Sequence, residues 1–224
     1  MTEGPEAHER HSSALDADLI TDPDERAARE VSNGLRQIDK VVEMVEYHVE
    51  RKVPFRLKLS TLFDLHRIAL EGISSFAGNF RPAGIIIGGS IHEPVGAYLV
   101  PGLVEEMCDY VNENWAKMSS LHLASYVLWR LNWIHPFTDG NGRTSRACSY
   151  LVMCLKIGYP IYSGNSVPEQ IAQDKKPYYD ALEKADEACR GGVTDVTALE
   201  DLLETLLTRQ LVAVLKDARG HIPE

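Results

Sequence analysis

Several hallmarks of specialised protein classes are missing from this sequence of 224 residues. No apolar run approaches the roughly 20 residues that a membrane-spanning helix needs, and the polar first residues contain no apolar signal core. The net charge of -10 at pH 7 leaves no general basic face of the kind that nucleic-acid binders present. These absences predict a cytoplasmic protein that binds neither membranes nor nucleic acid.

Cysteine is also sparse. The four cysteines form no C-x-x-C pair, so the sequence favours reduced, packed thiols over disulfides or a zinc site. The apolar fraction of 44% is enough for a substantial core. The composition therefore favours a globular domain.

The chain divides into one domain and two short tails. Residues 1–21 have the polar composition of a disordered tail, and residues 218–224 form a second tail. Between them, residues 22–217 are predicted to form a single domain that begins with a long amphipathic helix at 22–51. The helical spacing of apolar residues predicts further helices at about 60–72, 103–115, 121–134, 144–157, 168–189 and 197–217. The predicted fold class is all-α.

Residues 84–92 interrupt this helical pattern with three consecutive isoleucines beside Gly88 and Gly89. The pattern predicts a short β-hairpin. Such a hairpin either covers part of the core or offers an exposed edge to an extended peptide from a partner.

The densest chemistry in the sequence lies at residues 135–146, which read HPFTDGNGRTSR. These residues supply an imidazole, a carboxylate, a glycine-rich turn and two guanidinium groups. This combination favours the handling of a nucleotide polyphosphate.

The glycine-rich turn Gly140-Asn141-Gly142 precedes a predicted helix, so its N–H groups and those of the helix start can converge on a phosphate. The alternative is an ordinary turn, which needs the glycines but not the neighbouring charges. Asp139 beside a phosphate requires a cation between them, and Mg²⁺ fits because it binds one or two carboxylates plus substrate phosphates. Alternatively, Asp139 caps the next helix or pairs with Arg143.

Two arginines and a histidine complete this candidate site. Arg143 and Arg146 are three residues apart on one helix and can reach one polyphosphate, whereas alone they would suit surface ion pairs. His135 ends a buried helix beside the same turn and is the candidate general base. A lone histidine before proline is more often a packed or capping residue, but the neighbouring charged groups favour the base.

Residues 135–146 resemble the Fic family motif, HxFx(D/E)GNGRxxR, at every specified position. The hairpin at 84–92 is placed like the Fic flap, and the surrounding helices are similar to the helical Fic core. The resemblance covers about residues 24–210 and implies an all-α Fic fold with a short β-hairpin flap.

Fic proteins generally transfer AMP from ATP to a hydroxyl group of a protein side chain. The resemblance implies that His135 deprotonates a Ser, Thr or Tyr hydroxyl of a target protein and that Asp139 holds Mg²⁺. Further residues would bind the phosphates of ATP, namely Gly140, Asn141 and Gly142 at the α-phosphate, Arg143 near the β-phosphate and Arg146 at the γ-phosphate.

Two other segments acquire roles through the same resemblance. Tyr178 and Tyr179 resemble family tyrosines of the adenine pocket, although aromatic residues at helical spacing also suit a core. The flap would dock the target protein as an added strand, through Ile85, Ile86, Ile87 and Gly88.

One departure from the family concerns regulation. Many Fic proteins carry an inhibitory helix, [S/T]xxxE[G/N], whose glutamate pairs with the second motif arginine. That motif is absent from this sequence, and the nearest segment, residues 32–37, has Arg36 where the glutamate would stand. Arg36 is therefore predicted to be a vestigial inhibitory position, and the protein is expected to be either unrestrained or controlled by another mechanism, such as a regulatory partner or a homodimer. The missing glutamate also argues against removal of AMP.

Two alternative functions stay open at this point. The same scaffold can transfer UMP, phosphocholine or phosphate, although Gly142 stands where the phosphate-transferring Doc toxins carry lysine. The second alternative is that the protein binds a nucleotide and a partner without catalysing a transfer.

Overall fold

The computed structural model describes residues 18–88, 92–161 and 165–220. Within these ranges the chain forms α-helices and no β-sheet, so the all-α prediction is confirmed. A short 3-10 turn, Ala97–Leu99, leads into the third helix. The α-helices are α1 (Pro23–Glu50), α2 (Leu59–Leu70), α3 (Val100–Asn114), α4 (Ser120–Ile134), α5 (Asn141–Ile157), α6 (Val167–Gln173), α7 (Lys176–Arg190) and α8 (Thr197–Gly220).

Helices α4 and α5 form the centre of the molecule. Helix α4 packs against α3, α5, α7 and α8, while α5 also contacts α1, α2 and α6. Both helices bury apolar residues around most of their circumference, including Leu128 and Leu131 on α4 and Leu151 and Val152 on α5. A helix that is apolar on most sides must be enclosed by others, and this requirement places the α4–α5 turn deep in the fold.

Helix α1 is attached to α2 by polar as well as apolar contacts. Its start is capped by Asp22, whose carboxylate accepts from the Glu25 amide at 2.8 Å. The Asn33 side chain, 1% exposed, donates to the carbonyls of Ala69 and Glu71 at the end of α2. Gln37 donates to the Leu65 carbonyl at 2.9 Å. These bonds fix the rotation of α1 on the core.

Residues 18–20 are ordered against the turn after α2, although the sequence assigned them to a tail. Asp18 forms an isolated antiparallel bridge with Ser74, and the Leu19 amide donates to the Ile73 carbonyl at 2.8 Å. The Ile20 side chain is buried beside Leu70. One buried apolar residue and two backbone contacts thus extend the folded region; residues 1–17 and 221–224 lie outside the described residues.

The helix expected at 168–189 is two helices. Helix α6 ends at Gln173 and α7 begins at Lys176, with Pro177 in its first turn. Proline lacks an N–H donor and favours the first turn of a helix, so it starts a new helix here. This break turns Tyr178 and Tyr179 toward the α4–α5 turn.

The hairpin predicted at 84–92 is not seen over the described residues 84–88, and residues 89–91 lie outside them. Ile85 and Ile86 lie in irregular backbone, and Ile87 stands at an isolated bridge position. Ile86 is 83% exposed whereas Ile87 is 6% exposed. The side chains therefore alternate between solvent and interior, as they do in extended backbone.

Within the described ranges, no helix is both long and apolar enough to cross a bilayer.

We expect Asn33→Ala to lower the free energy of unfolding by about 1–3 kcal/mol, because one buried and one partly buried carbonyl lose their donor. Urea denaturation measures this change. Glu43→Ala, at an exposed position of α1, is the control and should stay within about 0.5 kcal/mol. Equal stability of the two variants would contradict the assignment of Asn33 as an anchor.

Candidate active site

The α4–α5 turn forms one wall of a cavity of about 460 Å³. Residues from α1, the 84–92 segment and α7 enclose it on the other sides. The predicted site residues that line it are His135, Asp139, Gly140, Asn141, Gly142, Arg143, Arg146, Tyr178, Tyr179 and Ile87. Four predicted site residues are not among the described residues that line it, namely Ile85, Ile86, Gly88 and Arg36.

His135 ends α4 in the left-handed conformation, with φ of 52°. This backbone is uncommon for a residue with a side chain and needs external support. Arg81 supplies it, because its Nε donates to the His135 carbonyl at 2.8 Å and its amide donates to the Pro136 carbonyl at 2.9 Å. The buried Arg81 side chain thus fixes the direction in which the imidazole leaves the helix.

The hydrogen bond of the His135 ring indicates its tautomer. Nδ1 lies 3.2 Å from the Asn132 carbonyl, which can only accept. We infer that Nδ1 carries the proton, which leaves Nε2 with a free lone pair. Burial is the main cause that lowers the pKa of His135 to about 4, and His92 and Arg81 act in the same direction. The ring is therefore neutral near pH 7 and able to accept a proton.

The turn itself is fastened by Asn141 and Gly140. The Asn141 side chain accepts from the Phe137 amide at 2.9 Å and donates to the Phe137 carbonyl at 2.8 Å. The oxygen and the nitrogen of its side-chain amide therefore each make one bond to the main chain of the turn. Gly140 has φ of 73°, and a Cβ at that position would lie 2.2 Å from the Leu70 side chain. Only glycine satisfies both the conformation and the space.

Helix α5 begins directly after this turn and presents free donors to the cavity. No described side chain caps the start at Gly140. The first amide groups of a helix have no acceptor within it, and the helix dipole adds positive potential. The start of α5 is therefore suited to hold an anion.

Arg146 projects from α5 into this positive region. In the described part of the chain its guanidinium has no ion pair or hydrogen bond, and its NH1 atom lies 3.1 Å from where a Gly142 Cβ would stand. Burial is the main cause that lowers the pKa of Arg146, while Tyr178 and Tyr179 oppose this shift. A partly buried guanidinium without a carboxylate partner among the described residues favours an anionic ligand at this position.

Helix α1 reaches the same turn through a ring of charges. Arg26 donates to the Asp139 carboxylate at 2.9 Å and pairs with Glu30 at 3.2 Å. Arg143 closes the ring, because it lies 3.0 Å from Asp139 and 3.2 Å from Glu30. Asp18 gives Arg26 a further carboxylate at 2.7 Å. The pairing of Asp139 with Arg143, weighed as an alternative from the sequence, is therefore present.

Arg36, the site residue predicted on α1, lies away from the cavity. It is half-exposed on α1, pairs with Glu71 at 2.5 Å, and is not among the described residues that line the cavity. The acidic residue of α1 that faces the motif is Glu30, six residues earlier, and it contacts Arg143 rather than Arg146. The alignment that placed Arg36 at the inhibitory position is therefore not the one seen in the structure, where Glu30 is the acidic α1 residue at the cavity.

The far wall of the cavity comes from α7. Tyr178 is buried, and its ring lies 5.5 Å from that of Tyr179. Asp186 lines the same wall and accepts from the Trp129 indole at 2.8 Å. His92 donates through Nε2 to the Trp133 carbonyl at 2.7 Å and lies 4.0 Å from Asp186. Aromatic faces and a carboxylate therefore stand opposite the anion-binding start of α5.

A magnesium site would have to form around Asp139. Among the described residues, no group of three His, Cys, Asp or Glu side chains is arranged to hold a metal. A single carboxylate together with substrate phosphates is nevertheless a donor set that Mg²⁺ uses, and the Asp139 side chain is 29% exposed beside the α5 amides. The residues present fit such an ion, provided that it shares the carboxylate with Arg26 and Arg143.

Comparison with known proteins assigns this arrangement to a family. Residues 56–153 match the model of the Fic/DOC family, a region that contains α2 to most of α5 and the whole 135–146 segment. The chain contains a Fic/DOC-family domain. The resemblance inferred from the Fic motif is confirmed.

Two insect proteins, each named protein adenylyltransferase Fic, are similar to this Fic chain. The one from Drosophila willistoni is 30% identical over 159 residues, and the one from Culex quinquefasciatus is 30% identical over 158. Each match covers 69% of this chain but 29% of the relative. The matched part of this chain thus spans less than a third of the length of these curated relatives.

Solved Fic structures share the fold. A Fic-domain signalling protein from Bacteroides thetaiotaomicron aligns with a TM-score of 0.69 and 22% identity, over 87% of this chain and 76% of that one. BepC from Bartonella tribocorum, solved with bound AMPPNP, aligns with a TM-score of 0.59 and 16% identity, over 84% and 88% of the two chains. At these identities the likeness concerns the fold.

We expect the protein to lose stability as the pH falls from about 6.5 to about 4. Burial lowers the pKa of both His66 and His135 to about 4, whereas in the unfolded chain it is about 6.5. Between these values the unfolded state binds more protons, so protonation favours unfolding, by roughly 1–2 kcal/mol per histidine at pH 5. Urea denaturation at pH 7 and pH 5 measures the loss.

The double variant His66→Gln, His135→Ala is the control for this pH effect. Its stability should change less between the two pH values than that of the unmodified chain. An equal change in both proteins would assign the pH dependence to other groups.

Proposed function

We propose that this chain is a protein adenylyltransferase, which moves AMP from ATP to a Ser, Thr or Tyr hydroxyl of a target protein and releases pyrophosphate. One observation carries the proposal: a neutral imidazole, an uncapped helix start and an arginine without a carboxylate face one cavity. The first can accept a proton, and the other two attract phosphate. The names of the insect relatives point to the same reaction.

In the proposed reaction, Nε2 of His135 takes the proton of the target hydroxyl. The hydroxyl oxygen then forms a bond to the α-phosphorus, and the bond from that phosphorus to the bridging oxygen of pyrophosphate breaks. The amides at the start of α5, from Asn141 and Gly142, stabilise the charge that gathers on the α-phosphate. The Asn141 side chain also holds the turn through its two bonds to Phe137.

Arg143 and Arg146 have different electrostatic settings and, in this proposal, different tasks. Arg143 is already paired with Asp139 and Glu30, so it orders the turn and meets the β-phosphate from there. Arg146 meets the γ-phosphate, because its guanidinium has no carboxylate partner among the described residues. A bound Mg²⁺, held by Asp139, would neutralise phosphate charge.

The rim of the cavity suits a base and a protein target. Tyr178 and Tyr179 provide aromatic surface for the adenine ring. In the flap, Ile85 to Gly88, Ile87 is buried and Ile86 is exposed, and we propose that a target strand is added along this segment. Backbone pairing of this kind would align the target hydroxyl with His135.

The transfer reaction can be tested by intact-mass analysis of the protein, which serves as its own acceptor, after incubation with ATP and Mg²⁺. We expect a gain equal to AMP. His135→Ala should slow it by about 10²- to 10⁴-fold, because the general base is lost. His48→Ala, far from the cavity at the end of α1, should retain the rate.

Parallel incubations distinguish other donors. ATP labelled at the γ-phosphate reports phosphate transfer, while UTP and CDP-choline report transfer of UMP and phosphocholine. Label retained only from one of these donors would replace AMP transfer by that reaction. Nucleotide binding without any transfer would support the non-catalytic alternative.

Arg146→Ala should weaken ATP binding by roughly 10- to 100-fold, because a charge-assisted phosphate contact is lost. Calorimetric titration with ATP measures this affinity. Arg36→Ala removes a guanidinium that pairs with Glu71 outside the cavity, and it should bind ATP as the unmodified chain does. Similar weakening in both variants would indicate a general effect of charge rather than a phosphate site.

A further inference from the structure

His66 lies on α2, outside the 135–146 segment, and is 1% exposed. It makes three contacts, two with the α4–α5 turn and one with the segment that follows α2. Its Nε2 lies 3.0 Å from the Asp139 carbonyl, and its Nδ1 accepts from the Gly78 amide at 2.9 Å. Its ring stacks on Phe137 with centroids 3.7 Å apart and planes within 9°.

These contacts select one tautomer of the ring. The Gly78 amide can only donate, so Nδ1 must keep its lone pair. The Asp139 carbonyl can only accept, so Nε2 must carry the proton. A neutral imidazole protonated at Nε2 satisfies both partners at once, and among protein side chains only histidine bridges them with one rigid ring. His66 and His135 thus hold opposite tautomers, which suits one for support and the other for proton transfer.

The bond to Asp139 controls the geometry of the residue at the centre of the charge ring. The Asp139 carboxylate accepts from the Gly140 amide at 2.5 Å, from Arg26 and from Arg143. Helix α5 begins two residues after Asp139, at Asn141. Leu70, one turn after His66 on α2, lies against Gly140. Residues 66 and 70 therefore pack against the turn and fix the positions of the Asp139 carboxylate and the first α5 amides.

We propose that His66 is a positioning residue for the transfer reaction, which fixes the Asp139 carbonyl and thereby the phosphate-binding start of α5. This inference rests on the proposed function. His66 is not one of the described residues that line the cavity, so it acts through Asp139 and Gly140 rather than on a ligand. A displacement of about 1 Å at such a distance from the chemistry can cost about 10²-fold in rate.

Two substitutions separate the two hydrogen bonds. In His66→Gln, the side-chain amide nitrogen takes the place of Nε2 and can donate to the Asp139 carbonyl. In His66→Asn, the amide oxygen takes the place of Nδ1 and can accept from Gly78, but nothing reaches Asp139. Both variants are neutral, and each loses one bond and the same aromatic stack.

We expect His66→Asn to lower kcat by about 10- to 100-fold with little change in the KM for ATP, and His66→Gln to retain most of kcat. Thermal unfolding of both variants accompanies the kinetics. If kcat falls equally in both, or follows the order of their melting temperatures, His66 has a structural role only and the inference is wrong.

Hydrogen exchange gives a readout that does not depend on activity. Peptides that contain residues 136–142 should exchange faster in His66→Asn than in His66→Gln, and peptides that contain Gly78 should show the reverse order. If the unmodified chain transfers no nucleotide, the proposed function fails, while this exchange pattern still decides whether His66 positions the turn. Equal exchange at residues 136–142 in the two variants would overturn the inference.

Discussion

The main chain of the α4–α5 turn is buried, and its polar groups must find partners there because water cannot supply them. Side chains and one main-chain amide donate hydrogen bonds to carbonyls of the turn. Arg81 donates to residues 135 and 136, Asn141 to Phe137, and His66 to Asp139. An unpaired buried carbonyl would cost about 1–3 kcal/mol, so the turn has a single favourable arrangement. The reactive groups inherit their geometry from that arrangement.

The supporting residues differ in kind from the groups that they support. The supporting groups of Arg81, Asn141 and His66 are engaged by the main chain of the turn, whereas Arg146 and the first α5 amides face the cavity without protein partners in the described part of the chain. Polar groups that are hydrogen-bonded within the protein make the turn rigid, and polar groups that lack such a partner can bind a ligand. The close juxtaposition of the two sets is what makes a short polar segment a binding site rather than a loop.

The sequence predicted the helices well, because apolar spacing reports burial directly, and it predicted the 135–146 segment from its concentration of polar groups. It could not locate Arg26 and Glu30, since charged residues on an amphipathic helix look the same whether they face solvent or a buried turn. The Arg36 register failed for the same reason. His66 was missed because its helix position is that of an ordinary core residue, and its role depends on a carbonyl 73 residues away.

The contacts of α1 also imply an order of assembly. Asn33 and Gln37 bind α2, which follows α1 directly along the chain, so these two helices can pair through local contacts. Arg26 and Glu30 must wait for Asp139 and Arg143, which lie more than a hundred residues later. The contacts between α1 and α2 are therefore local, whereas the charge ring depends on residues far apart in the sequence and needs the central helices in place.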